Sequence, residues 1–162
     1  VTEVAKMRRA DKQITDPDEL HRILDEALVL HLGMVDDGRP YVVPLNFARE
    51  GNELWLHCAS EGRKLECLRR QPSVCIEVER LIQITSGPTA CGKWTSHFES
   101  VIGFGTATVL SDDEHKLHAM QTIMGKYSGK QDWEFSPETL AKIVIVRVSL
   151  ESLTGKRAPA SA

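Results

Sequence analysis

This 162-residue chain has no run of about 20 apolar residues, so no segment reads as a membrane-spanning helix. Nor does it have a basic-then-apolar leader near its start; no secretory signal is visible, and a cytoplasmic location is expected. The four cysteines, Cys58, Cys67, Cys75 and Cys91, form no C-x-x-C pair and no dense framework, so reduced thiols are the simplest expectation. His57, Cys58, Cys91 and His97 can be assembled into a zinc site on paper, but their spacings match no finger pattern, and no metal is expected. There is no excess of basic residues: a formal net charge of -3 and a pI near 6.1 argue against a nucleic-acid partner. No G-x-G-x-x-G follows a first strand and no G-x-x-x-x-G-K-[ST] occurs, which removes the Rossmann and P-loop readings. Internal repeats, low-complexity tracts and linkers are also missing, and the length fits one domain over 1–162.

What is present reads as short strands joined by turns, with helices before and between them. Asp16-Pro17-Asp18-Glu19 starts a helix: Asp16 caps it, Pro17 suits the first helical position, and Glu19 completes a capping box. Leu20, Ile23, Leu24 and Ala27 then repeat at helical spacing. Val29 to Val35 is an apolar strand, Asp36-Asp37-Gly38 turns it back, and Tyr41 to Ala48 is its hairpin partner. Arg49-Glu50-Gly51-Asn52 turns the chain into a strand over Leu54 to Cys58. A helix follows over Arg63 to Arg70, and Pro72 breaks the chain. Val74, Ile76 and Val78 alternate with Cys75, Glu77 and Glu79, as in a half-buried strand.

Residues 85–97, rich in Gly, Ser, Thr and Cys, read as a long irregular loop of the kind that often carries function. Ser100 to Leu110 resumes a strand. Gly103 and Gly105 share one face of it, where a bend or a close approach by a ligand or another backbone is expected. Ser111-Asp112-Asp113-Glu114 caps a helix to about Tyr127, with Leu117, Met120, Ile123 and Met124 as its apolar stripe and His115 and His118 in solvent. Trp133 reads as a packing residue in a loop, Ser136-Pro137 opens a short helix, and Ile143 to Leu150 is the final strand. Residues 1–15 form an N-terminal arm and 154–162 a polar tail. Strands joined mainly by hairpins, with helices beside them, give a mainly β fold class: an antiparallel barrel with flanking helices.

The most informative stretch is L-W-L-H-C-A-S-E-G-R-K-L-E-C-L, from Leu54 to Leu68. A strand passes a histidine, turns through Ala59-Ser60-Glu61-Gly62, and restarts as a helix whose first turn carries Arg63 and Lys64. Backbone N–H groups at a helix start have no internal partners and favour an anion. A guanidinium and an ammonium there make a phosphate site, whereas without an anion they would oppose the helix dipole. One phosphate at the end of a strand suggests a mononucleotide cofactor lying along a sheet. The plain alternative is a pair of solvated charges. Asn46 is an unusual strand residue, explained by a ligand hydrogen bond or by an edge or bulge position. Trp94 reads as a core anchor or as a stacking wall.

Five segments, in order and covering nearly the whole chain, carry a resemblance: M-R-R-A-D-K-Q-I-T from Met7, G-R-P-Y-V-V-P-L-N-F from Gly38, L-H-C-A-S-E-G-R-K-L from Leu56, S-V-I-G-F-G-T-A from Ser100 and L-T-G-K-R from Leu153. With them the chain resembles the flavin-binding split-barrel superfamily of pyridoxamine 5′-phosphate oxidase, and within it the nitroimidazole-resistance (Nim-like) branch. The resemblance implies a six-stranded antiparallel split β-barrel that forms a homodimer, with two flavin mononucleotides (FMN) at the dimer interface. Carried over by position, Val43, Pro44, Leu45 and Asn46 would line the isoalloxazine ring, largely through backbone groups. His57, Cys58 and Ala59 would run beside the ribityl chain. Arg63 and Lys64 would hold the phosphate, and Trp94 and Ser100 would approach the ring from the partner subunit. His57 is then a hydrogen-bond donor to the cofactor or a proton donor in turnover, as against a strand-end histidine bonded to backbone.

Where the family often has an aromatic hydroxyl, this chain has His97-Phe98, so no proton donor is assigned there. The residues that recognise pyridoxal phosphate in the true oxidases are not evident, and vitamin B6 oxidation is not expected. The expected activity is two-electron reduction of a small-molecule electron acceptor, a nitroaromatic in the Nim-like branch. The rival reading is a non-catalytic carrier of FMN or FAD, or a haem protein with His57 or His97 on the iron.

Overall fold

The computed structural model describes residues 7–89 and 94–158. Helix α1 spans Pro17–Glu26, with the Asp16 carboxylate accepting the Asp18 N–H at 3.0 Å and Pro17 in its first turn. Its Leu20, Ile23 and Leu24 point into the core; full burial of Ile23 and Leu24 contributes roughly 2 kcal/mol each. Strands β1 (Gln13–Ile14), β2 (Leu30–Asp36), β3 (Arg39–Leu45), β4 (Ala48–Glu50) and β5 (Glu53–Ala59) precede helix α2 (Arg63–Arg70). Long strands β6 (Ser73–Thr85) and β7 (Thr95–Leu110) follow, then helices α3 (Asp113–Ser128) and α4 (Pro137–Ala141), then β8 (Ile143–Ala158). No described helix is long and apolar enough to cross a membrane.

All pairings are antiparallel, in the order β3-β2-β6-β7-β8-β5-β4, with β1 added on β8. One core gathers inward residues from nearly every strand, among them Leu32, Leu54, Ile76, Val101 and Val146, together with α1 and α2. The sheet therefore wraps a single core without closing: β3 and β4, consecutive in the chain, are its two unpaired ends. The split lies between them, spanned only by Asn46 and Phe47, and Phe47 is wholly buried there. A second, thinner layer of Ala48, Trp55 and Ile145 lies under α3.

The two glycines on β7 are explained by close approach. A Cβ on Gly105 would collide with the Ser149 carbonyl oxygen, and one on Gly103 would stand 2.7 Å from Leu153 Cδ2. Beside them β8 carries an extra residue: Phe104 faces Ser152 while Gly105 faces Leu150. Among the alternatives left by the sequence, a neighbouring strand is what fills the space.

Several boundaries differ from the sequence expectation. Among the described residues eight strands are formed rather than six, because the two-residue β1 and three-residue β4 add to six longer ones. The expected strand from Tyr41 to Ala48 is two: β3 stops at Leu45, and Ala48 pairs with Trp55 on β5. The irregular segment is shorter than 85–97, since β6 reaches Thr85 and β7 starts at Thr95; residues 90–93, Cys91 included, lie outside the described residues. The supposed polar tail is strand as far as Ala158, pairing with β7 at Phe98 to Ile102. Polar residues hid it: Lys156 turns to the opposite face from Gly155, while Arg157, on the side where Gly155 packs against Leu20 and Ile14, pairs with Glu19 of α1. In α3 the buried positions are Lys116, Ala119 and Ile123, and Leu117 is exposed. Of the expected stripe Ile123 stays in the contact, and Ala119 beside it completes the face that meets Trp55 and Ile145.

Candidate cofactor site

Strand β5 delivers His57, Cys58 and Ala59 to the sheet end, and Ser60-Glu61-Gly62 turns the chain into α2. Gly62 has φ 124°, a conformation costly for a side-chain-bearing residue, so glycine is required at this corner. No side chain caps α2, which leaves its first N–H groups open to an anion. Arg63 does not extend freely into solvent. Its Nε and Nη2 both donate to Asp36 Oδ2 at 2.7 Å, and its guanidinium lies over the Tyr41 ring at 4.4 Å. Asp36 is shared: Arg70 Nη2 donates to its other oxygen at 2.6 Å, and Arg70 Nη1 reaches Asp37 at 3.0 Å. Arg63, above all, holds the Asp36 carboxyl below the usual carboxylate range, and Asp36 in turn raises the Arg63 guanidinium. The helix start is thus tied to the β2–β3 hairpin, with Arg63 set in one orientation.

Lys64, half-buried, makes no hydrogen bond or ion pair with a described residue. Its charge acts on the end of β5. Burial first, and Lys64 second, push the His57 imidazole down from its ordinary value, so His57 is neutral near pH 7. His57 Nδ1 is buried and finds no hydrogen-bond partner among the described residues. A satisfied strand-end histidine would not show that atom orphaned. Burial raises the Cys58 thiol, only partly offset by Lys64 and Arg69; its Sγ points at the Val144 carbonyl, 3.9 Å away. Cys58 is therefore a protonated, inert thiol.

Val43, Pro44 and Leu45 lie on β3, which pairs with β2 on one side only. Its other edge carries main-chain groups with no strand partner, the arrangement a backbone-reading ligand needs. Pro44 fits such an edge. Asn46 follows the strand instead of lying in it, and its Nδ2 donates to the Leu28 carbonyl at 3.4 Å. The unusual strand asparagine is thereby accounted for by position. Trp94, 57% exposed, stands just before β7, while Ser100 is half-buried on β7 between Glu79 and Lys156. Among the described residues, no hydrogen bond or ring contact joins either of them to 43–46 or 57–64 within one chain.

Sequence reading missed Asp36, Tyr41 and Tyr127. The Tyr127 hydroxyl accepts the Phe47 N–H at 3.1 Å and donates to the Leu28 carbonyl at 2.7 Å. The histidines expected in solvent need correction. His115 and His118 do not merely face solvent: they pack on Trp55, at 6.5 and 5.1 Å between ring centroids, and His118 meets Glu50 at 2.7 Å. His97 is buried on β7 with its Nε2 2.7 Å from Thr85 Oγ1. A cleft of about 680 Å³ between β4 and α3, lined by Arg49, His118 and Lys126 among others, lies apart from the helix start.

Residues 16–157 match the family model described as pyridoxamine 5′-phosphate oxidase. No curated protein matches the chain. Among solved structures it is similar to a candidate 5-nitroimidazole antibiotic resistance protein from Bacteroides thetaiotaomicron, at 31% identity over 89% of this chain and 85% of that one, with a TM-score of 0.79. It is also similar to an FAD-binding protein from Mesorhizobium loti, at 25% identity over 91% and 97% of the two chains, with a TM-score of 0.68. An FAD- and haem-binding protein from Mycobacterium smegmatis shares the fold, at 21% identity, 93% and 77% coverage and a TM-score of 0.81.

Proposed function

The chain belongs to the pyridoxamine 5′-phosphate oxidase family, and from that premise we propose that it is a homodimeric FMN-binding reductase of small oxidised molecules, nitroaromatics such as nitroimidazoles among them. The observation that carries the reading is the helix start: an uncapped α2 behind Gly62, Arg63 held in one orientation, and, among the described residues, Lys64 and the Nδ1 of His57 without a hydrogen-bond partner. These groups fit a phosphate with a polar chain attached. Arg63 and Lys64 would hold the phosphate, and His57, Cys58 and Ala59 the ribityl chain. The free edge of β3 at Val43 to Leu45, with Asn46 just after it, would face the ring. A bound flavin supplies two-electron transfer. The chain's part is to aim β3 edge donors at the charge that develops on reduction.

The dimer reading is supported by an exposed apolar patch of Val35, Val42, Ile102 and Phe104 on the outer face of β2, β3 and β7. A second copy seated there would bring Trp94 and Ser100 toward the ring of its neighbour. FMN is preferred over FAD because the helix start offers one cluster of cations. Haem is disfavoured because propionates do not call for an uncapped helix start with a lysine and an arginine in its first turn. The test is direct. The purified protein, incubated with FMN, FAD, riboflavin and haem separately, should take up FMN most tightly, sediment as a dimer, and reduce a nitroimidazole when supplied with reduced nicotinamide. A Soret band on purification, or no preference for FMN over riboflavin, would sink the reading.

A further inference from the structure

The link that spans the split has no strand partner of its own, so something else must fix it. Phe47 is fully buried, which leaves its N–H out of reach of water. That N–H is satisfied by a side chain 80 positions away, the hydroxyl of Tyr127. The same hydroxyl donates to the Leu28 carbonyl, which also accepts from Asn46 Nδ2. Next to it Lys126 Nζ donates to the Leu24 carbonyl at 3.1 Å and lies 3.5 Å from the centre of the Phe47 ring. Both residues stand in the last turn of α3, which Gly129 terminates at φ 67°. The end of α3 thus grips the residues immediately after Leu45 and fastens them to the segment following α1.

We infer that Tyr127 is a positioning residue for the flavin-ring end of the site: its hydroxyl sets the backbone at Asn46 and Phe47, and through it the β3 edge at Val43 to Leu45. The inference rests on the reading that this edge faces the ring. Tyr127 acts through the link, whose orientation has no strand pairing to fall back on. A one-residue rotation there would swing the main-chain groups of Asn46 away from the β3 edge, because successive residues of an extended chain face opposite ways. Since the ring is common to FMN and riboflavin, loss of the hydroxyl should weaken both ligands alike. That distinguishes it from loss of a phosphate contact.

The experiment compares wild type, Tyr127→Phe and a control, Ile123→Val, which trims a buried residue of the same helix without reaching the link. Each is titrated with FMN and with riboflavin, and the midpoint potential and visible spectrum of the bound flavin are recorded. For Tyr127→Phe, both affinities are expected to fall by about tenfold, the scale of one lost buried hydrogen bond. The potential and the flavin band should also move, while Ile123→Val changes neither. If Tyr127→Phe matches the control in affinity, potential and spectrum, the positioning role is wrong while flavin binding stands. A loss confined to FMN overturns it too, because it would place Tyr127 at the phosphate. A wild type that takes up neither flavin overturns both the inference and the reading beneath it.

Discussion

The two ends of the proposed site are built on opposite principles. The phosphate end is made of charged side chains at the surface, where Arg63, Asp36 and Arg70 share short ion pairs beside an uncapped helix start. The ring end is made of main chain, a strand edge with a buried link held by a distant hydroxyl. Surface ion pairs are individually weak and screened by salt, so the first end owes its selectivity to the ligand's own charge. The second owes it to shape, because a buried N–H must be satisfied in one place. Substitutions at the first end should therefore separate FMN from riboflavin, and substitutions at the second should not.

The largest expected effect breaks the phosphate end outright. Replacing Arg63 and Lys64 together by Ala should weaken FMN strongly and leave riboflavin nearly unchanged. Isothermal titration with both ligands measures the difference. Equal losses would mean that the pair supports the fold and reads no phosphate. A smaller effect is expected at Asp36, which orients Arg63 without facing the ligand. Asp36→Asn keeps the shape and removes the charge that anchors two guanidiniums. FMN should weaken by less than in the double variant, again with riboflavin spared. A gain in FMN affinity would show instead that Asp36 competes with the phosphate for Arg63.

The same contrast explains what could be read from the sequence. The helix start was legible because its parts are neighbours: His57, Gly62, Arg63 and Lys64 fall within eight consecutive positions, and each residue type carries its chemistry openly. Helix caps at Asp16, Asp112 and Ser136 were legible for the same reason. The break between Leu45 and Ala48 was not, since Tyr41 to Ala48 alternates well enough to pass for one strand. What divides it is pairing, β3 with β2 and β4 with β5, and pairing is a long-range property. Nothing around Tyr127 announces that it will meet Phe47. Asp36 looked like an ordinary turn residue, and only the fold brings Arg63 and Arg70 to it.

His57 sits between the two ends, and its prediction is correspondingly intermediate. Its folded-state proton affinity is lowered by burial and by Lys64, so the unfolded chain binds the proton more readily. Stability from this group is present above the ordinary histidine pKa, about 6.5, and is lost as pH falls through and below it. Thermal melts of the ligand-free protein should show that acid loss, and His57→Gln should flatten it. His57→Ala should weaken FMN and riboflavin moderately if the imidazole serves the ribityl chain. If it instead delivers a proton in turnover, binding should hold while nitroaromatic reduction slows and loses its pH dependence. An unchanged affinity and rate would remove His57 from the site.

The smallest effect tests whether the ring end is tuned for packing or for charge. Lys126, half-buried above Phe47, has its ammonium pushed down to about 8, with burial as the main cause, Asp25 opposing it and Arg49 adding to it. Below that pH both the folded and the unfolded chain carry the proton, and the cost of burying the charge is fully present. As pH rises from about 8 toward the ordinary lysine value of about 10.4, the folded chain gives up its proton first and stability from this group increases. The gain is modest, because the amine is partly open to solvent and keeps two favourable contacts, the Leu24 carbonyl and the Phe47 ring. Lys126→Met should therefore remove the alkaline rise in melting temperature at little cost near neutral pH, provided the shape over Phe47 is retained. Flavin affinity should stay close to wild type, in contrast to Tyr127→Phe, because the methionine keeps the ring covered and leaves the Phe47 N–H bonded. If Lys126→Met weakens flavin as much as the loss of the hydroxyl does, the link is held by charge over the ring, and the division between a charged end and a main-chain end fails.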